Sequence, residues 1–492
     1  MKRTNRLLII SAALASLALG ACNKDLNLQP PSNTIVGNGG QGTAGSFIKD
    51  AATAEAALAN CYAYFRNGGA EYYVLDYFNI SEAQSDNAYA GADNAAGFEI
   101  DEFRMLSTNS WAARDWSYLF NHVTACNSVI INVPKVTDPA LTANRKAQIV
   151  AEAQFIRARA YFDLVRIYGD VPLVLTELPT ITSENLAEIY PLLYPSRTSV
   201  DSVYMQITND LKSAADVVPA SAANKGFVTK GAVYTLLAKI AATRKPVNWP
   251  EVQSYADQVI ALGYSLLPVY DQLWDGAHEN SAESIFELNF DGWDTGGNWG
   301  TSMFYGTDWK KFCNPSNDMI RAYQDEHDVV RFQSTITFDN VNGKWGDSRL
   351  SLDSFPFFYK MRKTDASQNI IIYRLADVML LKAEALNEQG NVSDANDIIT
   401  EIRTRVHLDP LNIADQATMR LAIEKERRLE LAFEGQRWYD LVRTDRAIPV
   451  MEAVKDGKGV NLGYHPTAQS LLWPVPQGQM DQNANLNQNE GY

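Results

Sequence analysis

Cysteine and histidine are scarce, 4 and 5 among 492 residues. No CxxC occurs, and His122, His278, His327, His407 and His465 are scattered without ligand spacing. Zinc and iron–sulfur centres therefore have no donor set. Asp291, Asp294 and Asp308 fall in one loop but lack the spacing of an EF-hand. No metal and no cofactor is expected. Basic charge is also short, with 43 Lys and Arg against 58 Asp and Glu, a net charge of −15. No basic field exists to displace counterions from phosphates, so no nucleic-acid partner is expected. GxSxG, HExxH and a phosphate-cradling glycine loop are all missing; Gly37 to Gly45 is not followed by Lys-Ser/Thr. Carboxylates abound, yet no spacing singles out a catalytic pair. The chain reads as a binding protein, not an enzyme.

Long apolar runs are equally few. Leu7 to Leu19 is uncharged but shorter than the roughly 20 residues that a bilayer span needs. Lys2, Arg3 and Arg6 precede it, and Leu19-Gly20-Ala21-Cys22 closes it with small residues before a thiol. This arrangement resembles a bacterial lipobox, with residues 1–21 as leader and Cys22 as the lipidated residue. Cys61, Cys126 and Cys313 remain, an odd number. Cys61 and Cys126 sit among apolar helix residues, so buried free thiols are expected, with a Cys61–Cys126 bridge as the alternative.

Apolar residues recur at helical spacing along most of the chain. Leu375, Met379, Ala383 and Leu386 form one stripe; Ala395, Ile398, Ile399, Ile402 and Val406 form the next after Gly390. Leu421, Leu429 and Phe433 mark another, before Gly435. Residues 375–405 have the length of a tetratricopeptide unit, roughly 34 residues. Earlier helices are predicted over 47–65, 111–133, 142–168, 199–218, 229–243 and 250–262. Arg157, Arg159 and Arg166 on the longest of these are expected in interhelical ion pairs or on loop carbonyls. Such hairpins bury their apolar faces only by stacking, so the late set must pack back on the early one.

The expected fold class is therefore mostly α: a tetratricopeptide-like α-superhelix with an irregular, loop-rich ligand-binding subdomain. The divisions are a polar lipid-anchored arm (22–46), an N-terminal helical part (47–265) and an aromatic-rich binding region (266–369). C-terminal helix pairs (370–445) and a wrapping tail (446–492) follow. Ser284 to Phe290 alternates like a short strand.

Three separated runs carry a family resemblance: EAQFIRARAYFDLVRIYGDVPLV (Glu152 to Val174), ERRLELAFEGQRWYDLVR (Glu426 to Arg443) and LWPVPQGQMDQNANLNQNEGY (Leu472 to Tyr492). In this order they resemble the SusD/RagB family of outer-membrane nutrient-binding lipoproteins. That resemblance implies a lipid-anchored protein exposed on the outer membrane. It would capture a glycan or oligosaccharide and pass it to a SusC-like TonB-dependent transporter, over which it rides as a lid. Peptide cargo, as in RagB-like relatives, or a lid with little affinity of its own are the alternatives.

Two stretches are the candidate site. Trp293, Trp299, Tyr305 and Trp309 stand in a loop with Gly296, Gly297 and Gly300. A flat indole can cover the C–H face of a sugar while nearby polar groups take its hydroxyls. The competing role is to staple a loop that lacks regular structure. The polar stretch Ser81 to Tyr89 is the second; the family resemblance points to Asp86, Asn87 and Tyr89. Glu82 and Asp86, four apart, could instead cap or pair locally. Trp111, at the mouth of the next helix, is open to either role.

Overall fold

A computed structural model describes residues 47–66, 71–179, 181–293, 296–456 and 459–492. Cys22, the leader and Asp294 lie outside the described residues. The early helices are α1 (Ala51–Arg66), α2 (Ala95–Asp101), α3 (Ser110–Asn132), α4 (Ala143–Tyr168), α5 (Leu186–Leu193), α6 (Val200–Ala215), α7 (Lys230–Thr243) and α8 (Trp249–Ile260). Short helices α9 (Gly300–Phe304), α10 (Asn317–Glu326) and α11 (Val329–Thr335) follow. The late set is α12 (Leu375–Glu388), α13 (Val392–Arg405), α14 (Gln416–Glu430), α15 (Arg437–Arg443) and α16 (Ala447–Ala453), with α17 (Gln477–Gln482) in the tail.

Local chemistry sets the helix ends. The Thr142 hydroxyl accepts from Arg145 N–H at the start of α4, and Asp415 accepts from Thr418 N–H at the start of α14. Alternate helices stack in sequence: α1 on α3, α3 on α4, α4 on α6, α6 on α7, α7 on α8. Helix α12 then packs on α8 and α7, and carries α13 and α14. The late hairpins thus continue the superhelix of the early ones, and the fold is mostly α and tetratricopeptide-like, as the periodicity predicts.

Three antiparallel ribbons form, the first two tying the intervening stretch to its flanks and the third lying within it. They are β1 (Ala88–Ala90) with β3 (Cys313–Pro315), β2 (Ser284–Leu288) with β6 (Ile370–Arg374), and β4 (Ile336–Asp339) with β5 (Phe355–Phe358). One large core takes side chains from α1 (Leu58), α4 (Ile156), α9 (Phe304), β5 (Phe358), the turn after α14 (Phe433) and the tail (Trp473).

The chain from Tyr72 to Gly91 departs from its expected character. The composition of Glu71 to Gly97 predicts a polar loop, but every residue from Tyr72 to Gly91 is buried. Two wide turns, Tyr72–Asp76 and Asn79–Ala83, carry it through the interior. Asp76 N–H reaches back five residues to Glu71 O, and Gln84 N–H likewise to Asn79 O.

The arginines of α4 take the structural role expected. Arg157 makes two hydrogen bonds to Asp210 of α6, at 2.9 and 2.8 Å. Arg159 and Arg166 both bond Asp163, and Arg166 lies 3.7 Å from the Tyr439 ring centroid. Cys61, Cys126 and Cys313 are buried free thiols.

His122 on α3 is wholly buried, stacked on Tyr64 with centroids 4.9 Å apart, and its Nε2 lies 3.0 Å from Cys61 O. Burial disfavours the imidazolium and lowers its pKa to about 3. As pH falls from about 6.5, the unfolded chain takes up this proton before the folded one, so folding loses stability down to about pH 3. His122→Gln should therefore cost about 1–3 kcal/mol at pH 7 and less at pH 4.5. Urea unfolding at both pH values checks this; an unchanged gap would contradict a neutral buried imidazole.

Candidate functional site

Three loops meet around an open groove of about 800 Å³. They are residues 91–96 between β1 and α2, 305–312 between α9 and β3, and 341–346 after β4. Gly91 permits the first two to touch: its N–H donates to Phe312 O at 2.9 Å, and a Cβ there would overlap Lys311 O. Trp309, Phe312 and Trp345 form the aromatic walls. Asp93, Asn94, Asp308, Lys310 and Lys344 supply the polar rim.

The rings are held from behind. Phe312 stacks on buried Trp111 at 6.4 Å and 26°, and Trp309 meets Phe312 edge-on at 5.8 Å. Lys311 Nζ sits 4.7 Å from the Trp309 centroid while bonding Asp308 at 2.5 Å. Trp345 packs edge-on against Phe355 at 4.8 Å, and its Nε1 donates to Thr307 O at 3.4 Å. Both indoles are half-buried, keeping part of each ring open to solvent. Across the rim, Lys310 pairs with Asp93 at 2.6 Å and Lys344 donates to the Thr307 hydroxyl at 2.7 Å. A neutral ligand with apolar faces and hydroxyl edges fits this arrangement of fixed rings and mixed donors and acceptors.

The candidate residues divide sharply. Trp309 lines the groove. Trp293 is 57% exposed with its Nε1 donating to Thr364 O at 3.3 Å, but it does not line the groove. Trp299 is half-buried against the main core, and Tyr305 packs on Phe357 and Tyr359. Trp111, 4% exposed, backs the groove and does not open to it.

Asp86, Asn87 and Tyr89 are corrected in place. All three are buried, so no face remains for a ligand. Asp86 receives Arg437 Nε and Nη2 at 2.7 and 2.8 Å, and Arg428 at 3.1 Å. Burial alone would raise its pKa, but the two guanidinium groups outweigh that and hold the carboxyl at about 2. Asn87 donates to Glu82 at 2.8 Å and accepts from Arg428 at 3.0 Å. Tyr89 lies under the Arg349 guanidinium at 4.6 Å, and its hydroxyl accepts from Asn317 N–H.

Their partners come from the run Glu426 to Arg443. Glu82 accepts the backbone N–H groups of Phe433, Gly435 and Gln436. The turn between α14 and α15 is thereby locked onto the segment that leads through β1 into the groove wall. Glu430 accepts from Arg374 at 2.6 Å, Arg331 at 3.1 Å and Arg405. Glu434 accepts from Arg374 at 2.7 Å and Lys360 at 2.6 Å. The sequence does not single out Trp345, Phe312, Asp93, Asn94, Lys310 or Lys344 as site residues; the one signal for Trp345 is its place between Gly343 and Gly346, the same glycine-flanked setting as the earlier tryptophans.

Among the described residues, no group of three or more His, Cys, Asp or Glu is placed to hold a metal, and no helix is long and apolar enough to cross a membrane.

A helical-repeat scaffold that presents fixed aromatic rings in an open groove defines a binding-protein architecture. The chain belongs to the SusD/RagB family. Residues 356–492 match the SusD family and residues 48–241 match the family described as starch-binding, associating with outer membrane. SusD-like protein P2 of Formosa agariphila is 25% identical, over 80% of this chain and 83% of its own length. Starch-binding protein SusD of Bacteroides thetaiotaomicron is 23% identical, over 84% and 85%. A crystal structure of a SusD superfamily protein from Bacteroides vulgatus superposes with a TM-score of 0.75 at 22% identity, covering 91% of this chain and all of that one. A laminarin-binding SusD-like protein gives 0.73 at 24%, covering 90% and 100%. At these identities the two structures speak for the fold.

Proposed function

We propose that the protein is a cell-surface lipoprotein, held at the outer membrane through Cys22, that captures an oligosaccharide and delivers it to a SusC-like TonB-dependent transporter. Binding is non-covalent and needs no cofactor. The observation that carries this reading is the open groove between Trp309 and Trp345, whose rings are braced by Phe312, Trp111 and Phe355. Rings fixed before binding lose little freedom when a sugar stacks on them. Starch-binding and outer-membrane association in the matched family, and the named activities of relatives, support the cargo class and the location. Residues 91–96 and the 266–369 stretch together form the binding part; Trp293 adds an exposed ring outside the groove.

Calorimetry against a panel of soluble polysaccharides, with peptides as the competing cargo, tests the proposal. Trp309→Ala or Trp345→Ala is expected to weaken the best glycan at least tenfold, about 1.4 kcal/mol, with circular dichroism confirming the fold. Wild-type affinity in both variants would reject the groove. Peptide binding without glycan binding would reassign the cargo.

A further inference from the structure

A second cavity of about 220 Å³ opens at the end of α1, lined by none of the groove residues. Its apolar walls are Ala59, Tyr62, Phe65, Phe227 and Leu288. Phe227 is 52% exposed and meets Tyr62 edge-on at 5.7 Å. The loop bearing Phe227 is pinned on two sides. Val228 N–H donates to the Tyr62 hydroxyl at 3.1 Å, which itself donates to Glu152 at 2.6 Å. Glu287 N–H of β2 donates to Lys225 O at 3.0 Å. The cup is therefore formed in advance.

Two of its lining groups are charged, the Glu287 carboxylate and the Arg66 guanidinium. The Glu287 carboxylate is consumed by Asn280 N–H at 3.0 Å and the Asn369 amide at 2.8 Å. The Asn289 amide is consumed by Asn224 Oδ1 at 2.6 Å and by Asn369. Arg66 also lines the cavity, is exposed, and has no hydrogen-bond or ion-pair partner among the described residues. In a chain with an excess of acidic residues, an uncommitted guanidinium beside an aromatic cup leaves one donor fork without an acceptor.

We propose that this cavity is a second binding site, for a single sugar ring bearing an anionic group. The ring's C–H face would lie on Phe227 and its carboxylate or sulfate on Arg66. The volume falls below the ~300 Å³ of drug-sized pockets and suits one ring in place of a chain. The inference does not depend on the groove: its ligand, residues and readout are separate.

The test titrates the full-length mature protein with glucose, glucuronate and glucose 6-sulfate, followed by ligand-observed NMR and calorimetry. Glucuronate or the sulfate is expected to bind at least tenfold more tightly than glucose, the stronger of the two identifying the anion. Arg66→Gln should abolish that preference, and raising the salt should erode it. Phe227→Ala should weaken both anions at least fivefold. Both side chains are exposed, so the variants should fold, with thermal melting as the check. Equal binding of glucose and the anions, no binding of any, or an unchanged preference in Arg66→Gln would overturn the proposal.

Discussion

Glu430→Ala is expected to lower the free energy of unfolding by about 3–5 kcal/mol, the range for removing one member of a buried ion network. The Glu430 carboxylate is wholly buried and accepts from Arg331, Arg374 and Arg405. Its removal leaves three guanidinium groups sharing Glu283, Glu426, Glu434 and Asp328. Each of the three loses a charged hydrogen-bond partner where water cannot replace it. The same network fixes the pH dependence. Burial pushes the Glu430 pKa up, but the arginines more than reverse this and hold it well below the ordinary value. A depressed carboxylate contributes stability above its unfolded pKa of about 4.3 and loses it as pH falls further. Wild type and variant should therefore differ most near pH 7 and converge below pH 4. Urea midpoints at pH 7 and 3.5 decide it; a gap that persists undiminished at pH 3.5 would show that the loss is one of packing and not of charge.

The helices were legible because a 3.6-residue apolar stripe is a local signal, and α3, α4, α6, α7 and α8 begin and end within three residues of their predicted limits. Ribbons of three to five residues carry few alternations, and of the six strands only β2 is anticipated from sequence; β1, β3, β4, β5 and β6 are not. The polar stretch from Ser81 to Tyr89 misleads for a different reason. Its partners lie about 340–360 positions away: Glu82 meets Gly435 and Asp86 meets Arg437. Polar residues are read as solvated unless a partner is in view, and no local pattern supplies one at that range. For the same reason, the run Glu426 to Arg443 reads from sequence only as helix interrupted at Gly435. In the structure its charges are spent inside, joining α14 and α15 to the segment that becomes one wall of the groove. Trp309 was legible from its glycine-rich loop, whereas Trp345 joins it only because β4 and β5 bring the 341–346 loop alongside.

Gly435→Ala is the second change with a large expected effect. Gly435 has φ of +76°, where any L side chain costs about 1–2 kcal/mol. A Cβ there would also overlap the Tyr77 ring. That ring cannot retreat: Tyr77 is 1% exposed, the Arg159 guanidinium lies 5.5 Å from its centroid, and Tyr72, Tyr73 and Phe78 surround it. Overpacking adds about 1–3 kcal/mol, so a total near 2–5 kcal/mol is expected. Moving the turn to relieve the clash would pull Gly435 N–H away from Glu82, 3.0 Å distant, and free a buried carboxylate. A double-mutant cycle separates the two contributions. Tyr77→Ala removes the ring, so in that background Gly435→Ala should retain only its backbone cost, and the double variant should be more stable than additivity predicts by about 1–3 kcal/mol. Strict additivity would mean that the ring moves aside freely. Because Glu82 sits on the path into β1, Gly435→Ala should also weaken glycan binding at the groove without touching it, and restoring affinity by the Tyr77 change would trace that path from the signature turn to Trp309.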